Sequence, residues 1–187
     1  MKQEVQGREI SALFNPRLSV LVTSCDQEGT PNVLTVAWHV PLSHRPPLVG
    51  ISIGSTRYSY QLISRTNEFV VNIMPETMKK EVKLCGKYTG RLDDKIEIAG
   101  LDTAQAHSVT PPLIVGAVGT VECKVREQVA TGDHTLFIGQ VLHAEVEQEA
   151  FTNQWIPGTG NNVLLCLQRD SYGTFQGEGS KGAPNDC

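Results

Sequence analysis

Gly132-Asp133-His134-Thr135-Leu136-Phe137-Ile138-Gly139-Gln140-Val141 is the stretch on which the fold turns. Glycine and aspartate supply turn chemistry, and the apolar run carrying Leu136, Ile138 and Val141 favours a sheet. The stretch predicts a strand over 134–146, entered through a turn at 130–133 from a second long strand over 117–129. His134 then stands at a strand mouth, where a side chain is held rigidly and still meets a ligand. Taken alone, the simpler reading of this stretch is a strand-start histidine facing water.

The rest of the chain extends that hairpin. Strands are expected over 18–24 and 32–40, joined at the turn Asp26-Gln27-Glu28-Gly29. A proline-bearing loop over 41–47 leads to a strand over 48–53, a helix over 57–66 and a strand over 69–73. Pro75 marks the start of a helix over 76–84. Pro111-Pro112 argues that 99–112 is loop, a short last strand covers 162–167, and the Gly-, Ser- and Pro-bearing tail over 176–187 is expected to be disordered. Many antiparallel strands with few helices predict a mainly β (α+β) fold, a barrel or a sandwich, in one domain over 1–175.

Two further segments carry chemistry. Ser55-Thr56-Arg57-Tyr58-Ser59-Tyr60 follows an apolar strand and opens a helix with two hydroxyls and an arginine. Unpaired N–H groups at a helix start favour a phosphate, and Arg57 adds a two-pronged contact; the alternative is an ordinary Ser55 or Thr56 cap. Cys85-Gly86-Lys87-Tyr88-Thr89-Gly90-Arg91-Leu92-Asp93-Asp94-Lys95 crowds glycines, a hydroxyl and cations into one loop suited to an anion. It lacks P-loop spacing, and a solvated basic loop is the bland alternative.

These segments, with 26–38, Arg45-Pro46-Pro47-Leu48 and Glu68-Phe69-Val70-Val71-Asn72, resemble the flavin reductase-like family over about 15–175. The resemblance implies a Greek-key split β-barrel that binds FMN, in a groove at a homodimer interface. It implies that Asn32, Thr35 and Trp38 run along the flavin ring, that Ser55, Arg57, Ser59 and Lys95 lie toward its phosphate, and that His134 lies close to the flavin. Thr89 and Ile96 depart from the serine and phenylalanine common in the family, mild exchanges that leave the loop chemistry intact.

Composition agrees with a folded, non-nucleic-acid-binding protein. Of 187 residues, 40% are hydrophobic and 19% charged, enough to bury a core without metal or disulfide support. A net charge of −4 argues against nucleic acid yet permits a locally positive pocket. Five cysteines show no metal-ligand spacing; Cys25, Cys123 and Cys166 read as buried thiols, and Cys85 has no neighbour that clearly activates it. The amino terminus has no signal core and no run is long enough to span a bilayer, so the cytoplasm is the expected setting, with no membrane partner.

No metalloprotease, nucleophile-elbow, dinucleotide-fingerprint or Cys-x-x-Cys motif is present. That suits a protein whose bound cofactor supplies the redox chemistry. His134 is then an orienting or tuning residue rather than an obligatory acid or base, and His39 is structural, while His44, His107 and His143 are surface residues. Trp155 either covers a site or anchors a loop. The expected activity takes electrons from NADH or NADPH, through FMN, to flavin, a ferric chelate or a protein acceptor. A flavoredoxin-like FMN carrier with little NAD(P)H turnover, and a non-catalytic nucleotide- or haem-binding barrel, are the alternatives.

Overall fold

The computed structural model describes residues 2–158, 162–168 and 171–175. In chain order the elements are α1 (Arg8–Ala12), β1 (Arg17–Leu18), β2 (Val20–Cys25), β3 (Pro31–Val36), β4 (His39–His44) and β5 (Pro47–Gly54). Next come α2 (Tyr58–Thr66), β6 (Glu68–Ile73), a 3-10 turn (Glu76–Met78), α3 (Lys79–Lys87) and α4 (Lys95–Ala99). The chain then forms β7 (Thr103–Ala104), β8 (Leu113–Ile114), β9 (Gly119–Thr131), β10 (His134–Val146), β11 (Leu165–Gln168) and β12 (Ser171–Gly173).

A seven-stranded antiparallel sheet runs in the order β3-β2-β6-β9-β10-β5-β4. Its two edges, β3 and β4, are consecutive in the chain and separated only by Ala37 and Trp38. The sheet therefore curls back on itself, and β3, β2, β6, β9, β10 and β5 all send side chains into one core. Val36, Val22, Phe69, Cys123, Phe137 and Ile51 meet there, with Ile63 of α2 packed among them. Alternation of period two along each strand puts these residues on a single face. The fold is the expected mainly β split barrel.

Local chemistry sets the element ends. Gly132 and Asp133 alone connect β9 to β10, with Gly132 at φ 72, a tight turn that fixes the hairpin register. α2 stops where Asn67 adopts the left-handed conformation and returns its N–H to the Ile63 carbonyl. α4 starts at Asp94, whose carboxylate accepts from the N–H groups of Ile96 and Glu97.

Several boundaries differ from the sequence reading. The strand expected over 32–40 ends at Val36, and most of the expected proline loop is strand β4. β4 is a sheet edge, where Pro41 can lack an N–H without breaking a ladder. The second helix is displaced to Lys79–Lys87 behind its 3-10 turn, and within 99–112 Ala99 ends α4, β7 pairs with β8 just beyond, and the rest is loop. The expected last strand begins only at Leu165, followed by the unanticipated β12, while α1 occupies the polar lead. The tail over 176–187 lies outside the described residues.

The loop between β7 and β8 is strapped across the outer face of the sheet. The Thr23 hydroxyl donates to the Pro112 carbonyl at 2.6 Å, the Asn72 side chain accepts from Ile114 N–H at 2.8 Å, and Glu68 accepts from Thr110 N–H at 2.8 Å. Fully buried Glu122 accepts from the N–H groups of His107 and Ser108 at 2.9 and 2.6 Å. A buried carboxylate requires such partners, so these polar residues fix the loop's path.

Candidate functional site

A groove of about 1180 Å³ opens between the barrel and α3. Leu34, Thr35 and Val36 of β3, the Ala37–Trp38 connector and the end of β5 form one wall. α3 supplies the opposite wall, His134 closes one side at the mouth of β10, and Tyr172 and Cys166 reach the rim from the β11–β12 hairpin. Its charge is one-sided. Arg57, Lys79, Lys80, Lys83 and Lys87 line it, and no carboxylate does so among the described residues, although the chain as a whole is acidic.

Helical spacing explains the lysines. Lys79, Lys83 and Lys87 recur every four residues and share one face of α3, while Val82 and Cys85 are buried beneath the helix. Sequence analysis reads 76–84 as an ordinary helix and gives Cys85-Gly86-Lys87 to the anion-suited loop, but α3 runs through Lys87, and the i, i+4, i+8 spacing of Lys79, Lys83 and Lys87 is a legible signal of that face. Lys83 Nζ also sits 5.6 Å from the Tyr172 ring centroid, linking this face to the C-terminal hairpin.

Of the eight residues singled out in the sequence, Thr35, Trp38, Arg57 and His134 line the groove. Thr35 donates its hydroxyl to the Val82 carbonyl at 2.6 Å, tying β3 to α3. His134 stacks on Trp38 with centroids 4.8 Å apart, and its Nδ1 is 2.7 Å from Asp133 Oδ1. That hydrogen bond holds the exposed Asp133 carboxyl below its usual range. Arg57 is the residue flanking α2, and its side chain makes no cap contact.

The other four lie off the groove wall. Ser55 is exposed and donates to the Asp133 carbonyl, so neither it nor Thr56 caps α2. Asn32 and Ser59 are buried, with Asn32 Nδ2 donating to Ser59 Oγ at 2.7 Å. Asn32 Oδ1 is buried without a partner, and a Cβ on Gly90 would run into it, so the glycine is required for this close approach. Lys95 is the first residue of α4 rather than a loop residue. Buried at 5% exposure, it donates to the Cys85 carbonyl at 3.3 Å. Burial lowers its ammonium to about 8, and the neighbouring Arg57 charge pushes the same way.

The remaining candidates resolve simply. Cys85 is buried and its thiol is pushed up to about 11, the opposite of an activated nucleophile. His39 lies 3.0 Å from the Leu18 carbonyl and is structural. Trp155 packs edge-on against Phe151 and anchors a loop.

The profile of the flavin reductase like domain matches residues 14–175. The chain belongs to the flavin reductase-like family. Among its relatives, an uncharacterised protein of Archaeoglobus fulgidus is 36% identical over 143 residues, covering 76% of this chain and 78% of that one. A flavin reductase of Pseudomonas putida is 27% identical over 154 residues, covering 82% and 80%. The crystal structure of an FMN-binding protein from Thermus thermophilus with bound p-hydroxybenzaldehyde superposes with a TM-score of 0.82 at 25% identity, covering 98% and 97%. In this flavin reductase-like chain the basic groove lies beside the Ala37–Trp38 connector between the two sheet edges.

Proposed function

We propose that this chain is an FMN-binding oxidoreductase that takes electrons from NADH or NADPH and passes them to flavin, a ferric chelate or a protein acceptor. The observation that carries the reading is a large groove, apolar along β3 and Trp38 and purely cationic along Arg57 and α3, in an acidic protein. An aromatic ring system bearing a phosphate has that same polarity. FMN, when bound, supplies the hydride and electron chemistry.

The chain's residues bind and orient. Arg57, with the first-turn N–H groups of α2, takes the phosphate; buried Lys95, which donates to the Cys85 carbonyl, adds positive potential behind it. Trp38 and His134 present one stacked aromatic edge to the ring system, and Asp133 fixes the His134 ring. The α3 lysines face a second polyanion, such as a nicotinamide dinucleotide entering over the first.

The same reading makes the active form a homodimer. Trp38 of the connector and Val40 and Leu42 of the β4 edge are 40–43% exposed, an apolar stripe suited to a second copy. Free thiols at Cys25, Cys85, Cys123 and Cys166 suit a reducing compartment such as the cytoplasm, and no helix among the described residues is long and apolar enough to cross a membrane.

The test is an anaerobic visible spectrum of the FMN-loaded protein. Bleaching on addition of NADH or NADPH is the expected result. Bleaching by dithionite alone turns the assignment to an electron carrier, and failure to take up FMN overturns it.

A further inference from the structure

We propose that His107, His143 and Glu145 form a binding site for a divalent transition metal of the zinc class, which pins the β7–β8 loop to β10. The site lies at the far end of β10 from His134, nine residues along the strand, or roughly 30 Å. It owes nothing to the basic groove or to flavin.

The three ligand atoms already converge. His107 Nε2 is 3.2 Å and His143 Nε2 is 2.9 Å from the same oxygen, Glu145 Oε1, and all three atoms lie within 4.8 Å of one another. Two ligands of a tetrahedral zinc ion stand about 3.3 Å apart, given bonds of about 2.0–2.1 Å. Two of the three edges therefore match, and the third closes by at most about 1.5 Å. The imidazole rings lie side by side with centroids 4.4 Å apart. Two neutral imidazoles and one carboxylate make a zinc donor set that leaves a position for water.

The backbone holds both sides of the site. A bulge in the β10–β9 ladder between Val141 and His143 brings His143 opposite Glu122, and two residues on, Glu145 projects from the same face. Glu122, buried beneath, grips the His107 and Ser108 N–H groups, so the loop ligand approaches from a fixed path. A metal here cross-links the β7–β8 loop to β10.

The experiment titrates zinc into EDTA-treated full-length protein, repeats the titration with cobalt, and collects anomalous scattering from zinc-soaked crystals. Expected are one zinc per chain, a rise in melting temperature of about 5–10 °C at a hundredfold excess over Kd, and a cobalt spectrum without a thiolate charge-transfer band. His107→Ala and His143→Ala should each weaken zinc binding at least about tenfold, since even loss of an outer-shell partner has an effect of that size. Their melting temperatures in EDTA should match the parent's. No zinc uptake, uptake unchanged by both substitutions, a cobalt–thiolate band, or anomalous density away from these three side chains would each overturn the proposal. The crystal and cobalt measurements use the unaltered chain, so a variant that fails to fold leaves the proposal testable.

Discussion

Trp38 and His134 stack with ring centroids 4.8 Å apart, one from the connector between the two sheet edges and one from the first position of β10. Arg17 lies 5.8 Å from the Trp38 ring centroid, so the pair is flanked by a cation as well. The stack converts two separate strand ends into one flat wall, and the Asp133 carboxylate keeps the imidazole from rotating away.

Removing that wall weakens flavin binding without unfolding the protein. An aromatic pair contributes about 0.5–1.5 kcal/mol beyond burial, so His134→Ala should raise the FMN dissociation constant about 2- to 12-fold. Asp133→Asn keeps an acceptor for the imidazole and should give a smaller change. Fluorescence titration reads both, and unchanged constants in both variants would remove His134 from the site.

Arg57 is exposed and its side chain makes no cap contact, and in the proposed function it binds the phosphate. A charge-assisted hydrogen bond of about 1.5–3 kcal/mol corresponds to a 10- to 150-fold loss of FMN affinity in Arg57→Ala. The melting temperature of the flavin-free protein should stay within about 2 °C of the parent. Equal affinity in parent and variant would show that the phosphate lies elsewhere.

Lys95 gives the pH dependence. Burial brings its ammonium from 10.5 to about 8, so between these values the native state holds fewer protons than the unfolded chain. Stability of the flavin-free protein therefore rises with pH across that window. Below it, the buried charge costs the fold on the order of 3 kcal/mol. Lys95→Met should raise the melting temperature of the flavin-free protein by about 6–12 °C at pH 7 while weakening FMN binding. In the parent, FMN affinity should fall as pH rises through about 8, and in Lys95→Met that inflection should vanish. A parent profile flat from pH 7 to 9 would separate Lys95 from the anion.

Gly139 reports on the barrel core. A Cβ there would lie 2.6 Å from Phe69 Cζ and 2.9 Å from Cys123 Cβ, inside the central cluster. Overpacking of this kind costs about 1–3 kcal/mol, so Gly139→Ala should lower the melting temperature by about 2–12 °C. Phe69→Leu in the same chain should recover part of the loss. A variant as stable as the parent would mean that the Phe69 ring moves freely.

The legible parts of the chain were those governed by local periodicity. The hairpin of β9 and β10 emerges within two residues of expectation, because apolar alternation and the Gly132-Asp133 turn act over neighbouring residues. β4 was hidden because Pro41 and the Pro46-Pro47 pair signal loop unless the strand is known to be an edge, and edge position is a property of the whole sheet. The burial of Asn32, Ser59 and Lys95 was equally hidden. Asn32 on β3, Ser59 on α2 and Lys95 on α4 are polar residues whose burial depends on contacts between elements far apart in the chain. Arg57, Trp38 and His134 were found because strand mouths and helix starts are visible in sequence.

β1 pairs with β11, Arg17 lying opposite Cys166, and the β11–β12 hairpin brings Tyr172 to the groove rim. The first strand of the chain thus waits for nearly the last. During synthesis the barrel strands through β10 leave the ribosome well before the residues that finish the groove. The seven-stranded sheet is therefore complete at β10, while part of the groove rim is supplied by Cys166 and Tyr172 further along the chain.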